Sequence, residues 1–454
     1  MSTANATNDP GTDAFVASSP ISMVPPKILP VEVIERILKY ATSFPDDLDS
    51  EVKDPFTTPD HGLVPLYNHK IADMKGAFAL KHRILVLSKG WYKLLAGSLY
   101  EVVVVKRGKQ LAALHRILLE DQCAAYEHIR VTLAQTIRHL TIYAEYGCVG
   151  ADQDPVKEEL DQLADIFSWA IRVKILTVQW RCLNKTKVQE LPPRCVNAIS
   201  CIWTLEKVHF DGLQPNAVDA RDLVHRCPHL RTFIVTGKEL LNAVVSPRRL
   251  VMKPGIKFFT LNALWKIYKD EPVEPNPTLK ILHIPIGSPP NQMQKAVRCR
   301  EAFLSAQGRH LQTVFLEVDF TNALTTLEET QSCVDQLDKY CTKLARLVFI
   351  APTLWFFPHV KRLPPTLSYI GFWTPCAWAL DRYWNHFFVE LAELTREDVP
   401  MLKAFRLLDC DLVKDFRRQL AEGKDVGAEH IRRCIFRVED HEGDEMLPAG
   451  LLKV

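Results

Sequence analysis

Leu205-Glu206-Lys207-Val208-His209-Phe210 carries the pattern on which the fold of this chain turns: an apolar residue, two others, an apolar, one other, an apolar. Its last two apolar positions straddle a single residue, the period of a short strand with one face buried. Upstream the pattern stands at Ile137, Leu140, Ile142 and at Val173, Leu176, Val178. Downstream it returns at Leu230, Phe233, Val235, then Leu279, Leu282, Ile284, then Leu311, Val314, Leu316. It closes with Leu344, Leu347, Phe349, then Leu367, Ile370, Phe372, then Leu402, Phe405, Leu407. Successive middle residues stand between 23 (Leu347 to Ile370) and 49 (Phe233 to Leu282) positions apart.

Helical faces fill the intervals. Leu160, Leu163, Ala164, Phe167, Ala170 and Ile171 form one; Val218, Leu223, Val224 and Cys227 another. Met293, Ala296, Val297, Phe303 and Leu304 make a third, and Leu327, Val334, Leu337, Tyr340 and Cys341 a fourth. The order strand, loop, helix, strand resembles a leucine-rich repeat, whose units run Leu-x-x-Leu-x-Leu-x-x-Asn/Cys; Cys410 even fills the last slot after Leu407. Most intervals exceed the ~20–29 residues of standard repeats, so the expected fold is α/β, an irregular solenoid of short parallel strands alternating with helices. A doubly wound α/β domain competes. It would have strands apolar on both faces and glycine fingerprints at its turns, whereas polar residues flank the anchors here and the fingerprint is missing.

In a stacked array the anchors point into the core and the alternating residues line the open, concave sheet face. Those residues include Thr141, Thr177, Asp211, Thr236 and His283. Tyr143, Gln179, His209, Glu317, Trp373 and Arg406 are the candidates for contact with a protein target. For each of them the plain alternative is a solvated side chain.

Near the N-terminus, Ile28-Leu29-Pro30-Val31-Glu32-Val33-Ile34 begins a short amphipathic helix, with Pro30 in its first turn and Ile37 and Leu38 continuing its stripe. Ile84, Leu87, Trp91, Leu94 and Leu95 make a second stripe. At these residues the chain resembles an F-box: Leu29, Pro30, Glu32, Val33 and Ile37 match its opening, and Leu87-Ser88-Lys89-Gly90-Trp91 its close. The resemblance implies docking on a Skp-type adaptor, and through it on a cullin ubiquitin ligase, with Leu29, Pro30, Val33, Ile34, Ile37, Leu87 and Trp91 facing the adaptor. The chain departs from the family at about 42–74, where Pro45, Pro55, Pro59, Pro65 and the acidic run Asp46 to Asp54 form a looped insertion. The expected organisation is a disordered leader (1–26), an F-box-like module (27–105), the solenoid (106–415) and a charged tail (416–454) in which Ile435-Phe436-Arg437-Val438 add a final strand.

Composition bounds the alternatives. The chain has 454 residues, and its 56 basic and 54 acidic residues leave a net charge of +2, which offers no bulk attraction to nucleic acid or anionic membrane. The sequence has no apolar run of membrane-spanning length. The 12 cysteines are scattered without a C-x-x-C pair, as buried reduced thiols of a cytoplasmic or nuclear protein would be. His225-Arg226-Cys227-Pro228-His229 suits a helix end better than a zinc site, and His430 with Cys434 is an isolated pair. Trp355 to Phe388 hold 11 of the 41 aromatics, yet Leu380, Trp384, Phe387, Phe388 and Leu391 share one helical face, which favours core. No nucleophile, phosphate-loop or metalloprotease motif stands in the sequence. The expectation is a substrate receptor with no cofactor and no catalytic residues, or else a repeat scaffold whose N-terminal helices only cap the array.

Overall fold

A computed structural model of the chain describes Val33, Arg36, Pro55, Phe56 and Arg83 and residues 100–106, 108–128, 132–143, 157–180, 189–236, 255–261, 275–287, 290–318, 323–351, 363–374 and 384–447. The strands are β1 (Val102–Lys106), β2 (His139–Tyr143), β3 (Ile175–Gln179), β4 (Gln189–Glu190), β5 (Lys207–Asp211), β6 (Leu213–Gln214) and β7 (Thr232–Thr236). They continue as β8 (Phe258–Thr260), β9 (Ile281–Ile286), β10 (Thr313–Val318), β11 (Arg346–Ile350), β12 (Tyr369–Trp373), β13 (Ala404–Leu407) and β14 (Arg437–Glu439). Twelve of them form one parallel sheet in chain order; β4 and β6 pair separately.

Each expected unit lands on a strand. Its two alternating anchors point to one side of the sheet, and the first anchor is buried just ahead of the strand, from Ile137 through Leu205 to Leu402. They share one core with helices Lys157–Trp169, Pro193–Ser200, Ala217–Arg226, Pro290–Gln307, Ala323–Tyr340, Trp384–Ala392 and Cys410–Ala421. Each fully buried anchor contributes ~1.5–3 kcal/mol, so the hydrophobic ladder dominates the array's stability. Among the described residues, helices thus cover one face, and the strand order never reverses. A doubly wound domain needs helices on both faces and a switch point. This is a solenoid-like α/β fold.

Neighbouring turns are stitched by repeated polar contacts. Ahead of most strands of the large sheet one carbonyl accepts two main-chain N–H groups of the next turn: Lys174 O takes Glu206 N at 2.8 Å and Lys207 N at 3.0 Å, and Lys280 O takes Gln312 N and Thr313 N at 2.9 and 3.1 Å. Three threonines placed just before a first anchor add a second stitch. Thr204, Thr278 and Thr366 donate Oγ1–H to the carbonyls of Val173, Ile256 and Leu344, the first anchors of the preceding turns, at 2.9, 3.1 and 2.7 Å.

The array extends past both expected bounds. Tyr100, Val103 and Val105 repeat the anchor spacing, and β1 pairs with β2 as the first strand of the sheet. The long interval after Phe233 hides a further unit: Ile256, Phe259 and Leu261 are buried around β8. At the other end, residues expected as a charged tail close the core. Helix Cys410–Ala421 straddles the expected boundary and buries Leu412, Val413 and Phe416, and the strand expected at Ile435-Phe436-Arg437-Val438 forms as β14, the last of the sheet. Glu445 bridges back to Glu439 and Met446 N donates to Val438 O at 2.9 Å. Asp440 staples that return by accepting from Glu442 N and Asp444 N. An exposed strand edge invites pairing with other chains, and this fold-back blunts it.

Burial pushes the thiols of Cys195 and Cys434 up to about 12 and that of Cys333 to about 11, and it raises Cys341 as well. His225 and Arg226 end a helix whose C-cap is Cys227. Among the described residues, no helix is long and apolar enough to cross a membrane.

Candidate functional site

The sheet face opposite the helices is where a ligand surface was expected, and its strands alternate so that every second residue stands there. The expectation of open, solvated contact residues is corrected for three candidates. His209, Trp373 and Arg406 are buried. His209 Nε2 lies 3.0 Å from Thr236 Oγ1 on the adjacent strand. Glu317 is half-buried, its Oε2 3.1 Å from Nε2 of the buried His283, whose Nδ1 lies 3.3 Å from Thr260 Oγ1. These are cross-strand contacts within the chain, and they use polar groups that were read as free for a partner. Tyr143 and Gln179 are half-buried register partners at the ends of β2 and β3, with Lys106 Nζ 5.9 Å from the Tyr143 ring centre.

Toward the C-terminal end this face carries a second apolar cluster. Ile234, Phe258, Phe315, Val348, Ile350 and Trp373 belong to it, and so does Phe56, which lies in the insertion. Tyr369 stacks obliquely on Phe56, ring centres 5.2 Å apart. Gly371 is the reason the ring can come so close. It stands between Val348 and Arg406 in the register, and a Cβ there would meet Phe56 Cζ at 3.1 Å and Leu408 Cδ1 at 2.6 Å. Glycine inside a strand commonly marks such an approach.

Arg406 closes the site from the β13 side. Its guanidinium donates from Nε and Nη2 to Glu439 Oε2 at 3.0 and 2.7 Å. Nη1 donates to the main-chain carbonyls of Phe56 at 3.0 Å and Pro55 at 3.4 Å. The guanidinium carbon also lies 5.4 Å from the Phe56 ring centre, within cation–π range. Glu439 neutralises the charge and fixes the fork, leaving one nitrogen to read peptide carbonyls. Chemically the arrangement binds an aromatic ring and two main-chain acceptors. It has no nucleophile among these groups.

Sequence reasoning placed Trp373 and Arg406 on this face but missed Phe56, Gly371 and Glu439. The available signals were a lone Phe after Pro in a polar, acidic stretch and a glycine in the middle of the Tyr369–Trp373 strand. Of the residues matched to the F-box motif, Val33 is helical and 38% exposed. Leu29, Pro30, Ile34, Ile37, Leu87 and Trp91 lie outside the described residues.

Among the described residues, two clusters hold potential metal-ligating atoms, Asp409–Cys410–Asp411 and Asp440–Glu442–Asp444. Both already have structural duties. Asp409 caps helix Cys410–Ala421 by accepting from Asp411 N at 2.8 Å and Leu412 N at 3.1 Å, while Asp440 holds the fold-back and accepts from Arg417 Nη2. Compared with known proteins, the chain matches no family model and no curated sequence.

Proposed function

We propose that the chain is an F-box-type substrate receptor. In this reading its N-terminal helices grip a Skp-type adaptor and through it a cullin ubiquitin ligase, while a leucine-rich-repeat-like array holds a protein target. The observation that carries the reading is the pairing of the Leu29-Pro30-x-Glu32-Val33 and Leu87-Ser88-Lys89-Gly90-Trp91 signatures with a solenoid directly behind them. The exposure of Val33 agrees with it, since an apolar motif residue on a helix surface is available to a foreign subunit. The chain performs no bond chemistry in this role. It supplies proximity, keeping a target lysine near the ligase's charged enzyme at high effective concentration. Such a protein works in the cytoplasm or nucleus.

The test is co-purification. A Leu29→Ala, Trp91→Ala double variant that keeps its array intact is expected to lose the adaptor, because buried interface anchors cost ~2 kcal/mol or more each on truncation. Unchanged recovery of the adaptor would remove the assignment.

A second reading is a ligase-free scaffold. One contact favours it: the insertion between the two motif halves returns to the solenoid through Pro55 and Phe56, as a capping segment would. A pull-down in which the folded chain brings down other proteins but neither adaptor nor cullin would select it.

A further inference from the structure

We propose that the end of the open sheet face around β12 and β13 is a peptide-binding site, filled in this chain by its own Pro55–Phe56 turn. Its ligand class is a protein segment in which an aromatic residue follows proline.

Three features of the seat point to a ligand mode rather than to ordinary core packing. First, the occupant comes from some 350 residues away in sequence. Second, Gly371 leaves open the space that the ring tip enters, between a valine and an arginine on the flanking strands. Third, Arg406 hydrogen-bonds the occupant's main chain: Nη1 reaches two successive carbonyls while Glu439 holds the rest of the fork, and the guanidinium also lies over the Phe56 ring. Recognition therefore has two parts. The aromatic ring supplies shape and apolar contact against Tyr369, and the carbonyls supply register. Proline before the ring adds a fixed φ and no N–H, which lowers the entropy lost when the turn docks.

A segment tethered in cis competes at an effective concentration of ~mM, so a partner must either bind more tightly or act where the tether is pulled away. The site itself stands on this geometry. That its displacing partner is a ligase target rests on the receptor reading.

The probe is a labelled synthetic peptide of residues 51–60, EVKDPFTTPD. It is titrated by fluorescence anisotropy into the full-length chain and its Phe56→Ala variant, with no adaptor present. Removing the competing ring is expected to tighten peptide binding by about tenfold or more. The same peptide with alanine for phenylalanine is expected to bind neither protein. Equal affinity for wild type and Phe56→Ala would overturn the proposal. So would absence of binding to a Phe56→Ala chain whose β12 and β13 amides keep their exchange protection.

Should Phe56→Ala not fold, a peptide bearing a benzophenone at the phenylalanine position is crosslinked to the wild-type chain at high concentration. Crosslinks within 369–374 or 404–408 support the site, and crosslinks elsewhere overturn it. A wild-type chain that exchanges Phe56 between copies, seen as a concentration-dependent dimer lost in the variant, would overturn the cis arrangement. Failure of the wild-type chain to recover the adaptor, with peptide binding intact, would sink the receptor reading alone.

Discussion

Arg406→Met is the sharpest perturbation of the C-terminal half, because it keeps the stem's bulk and deletes the charged fork. It removes two hydrogen bonds to Glu439, at 3.0 and 2.7 Å, and the bonds to the Phe56 and Pro55 carbonyls. Glu439 is 1% exposed, so its carboxylate cannot recover solvation. Breaking a buried ion pair from one side costs ~3–5 kcal/mol. One compensation remains: Arg437 Nη2 lies 2.9 Å from Glu439 Oε1, and Arg437 itself is exposed. The expected cost is therefore at the lower end, about 3 kcal/mol, which is a factor of about a hundred in the local opening equilibrium. A solenoid of this length need not unfold in one step, so the readout has to be local. Amide hydrogen exchange of β13 and β14 meets that need, the Arg437 N to Lys403 O bond being one reporter. Replacing both partners, Arg406→Met with Glu439→Leu, is expected to restore more than half of the lost protection, since no charge is then stranded. If the single variant changes exchange by less than about threefold, or the double variant is no better, the buried pair is not what holds this end of the array.

Other consequences can be checked separately. Phe259→Ala, which deletes a ring stacked between Phe233 and Phe303, should cost ~3–5 kcal/mol and expose the array's centre to limited proteolysis, while Trp203→Ala at a 55% exposed site should shift stability by less than ~0.5 kcal/mol. Equal effects would deny β8 its place as a repeat. Asp409→Ala removes the acceptor of two helix N–H groups and should loosen helix Cys410–Ala421 by ~1 kcal/mol, with Asp409→Asn close to neutral; circular dichroism melts and exchange of that helix decide it. A thiol at about 12, as in Cys195, ionises about a thousandfold less at pH 8 than one at the ordinary 9.0. Mass-spectrometric mapping of alkylation should therefore find Cys201 labelled and Cys195 and Cys333 unlabelled until the chain is denatured.

Most of the sheet was legible in the sequence because its information is local. Two anchors flanking one residue, preceded by a third, survive any loop length, so the units from Ile137 to Leu407 could be placed from spacing alone. The β8 unit escaped because Phe258 and Phe259 break the visual alternation. Of the C-terminal cap the strand at Ile435-Phe436-Arg437-Val438 was legible, but its helix was not, because dense charge around Leu412, Val413 and Phe416 hid the stripe. The site was less legible. Which side of the sheet Arg406 and Trp373 occupy follows from strand period, but whether they meet solvent depends on a segment about 350 residues away. Long-range contacts of that kind leave no periodic trace. Glu439, which completes the fork, looked like one more charge in an acidic tail.

On the receptor reading proposed above, the N-terminal motif holds a Skp-type adaptor. Titrating the purified full chain with purified adaptor, by calorimetry or size-exclusion light scattering, tests it without help from other ligase subunits. A saturable one-to-one complex that disappears with Leu29→Ala, Trp91→Ala is the predicted result. A folded chain that elutes apart from the adaptor at micromolar concentrations would contradict it.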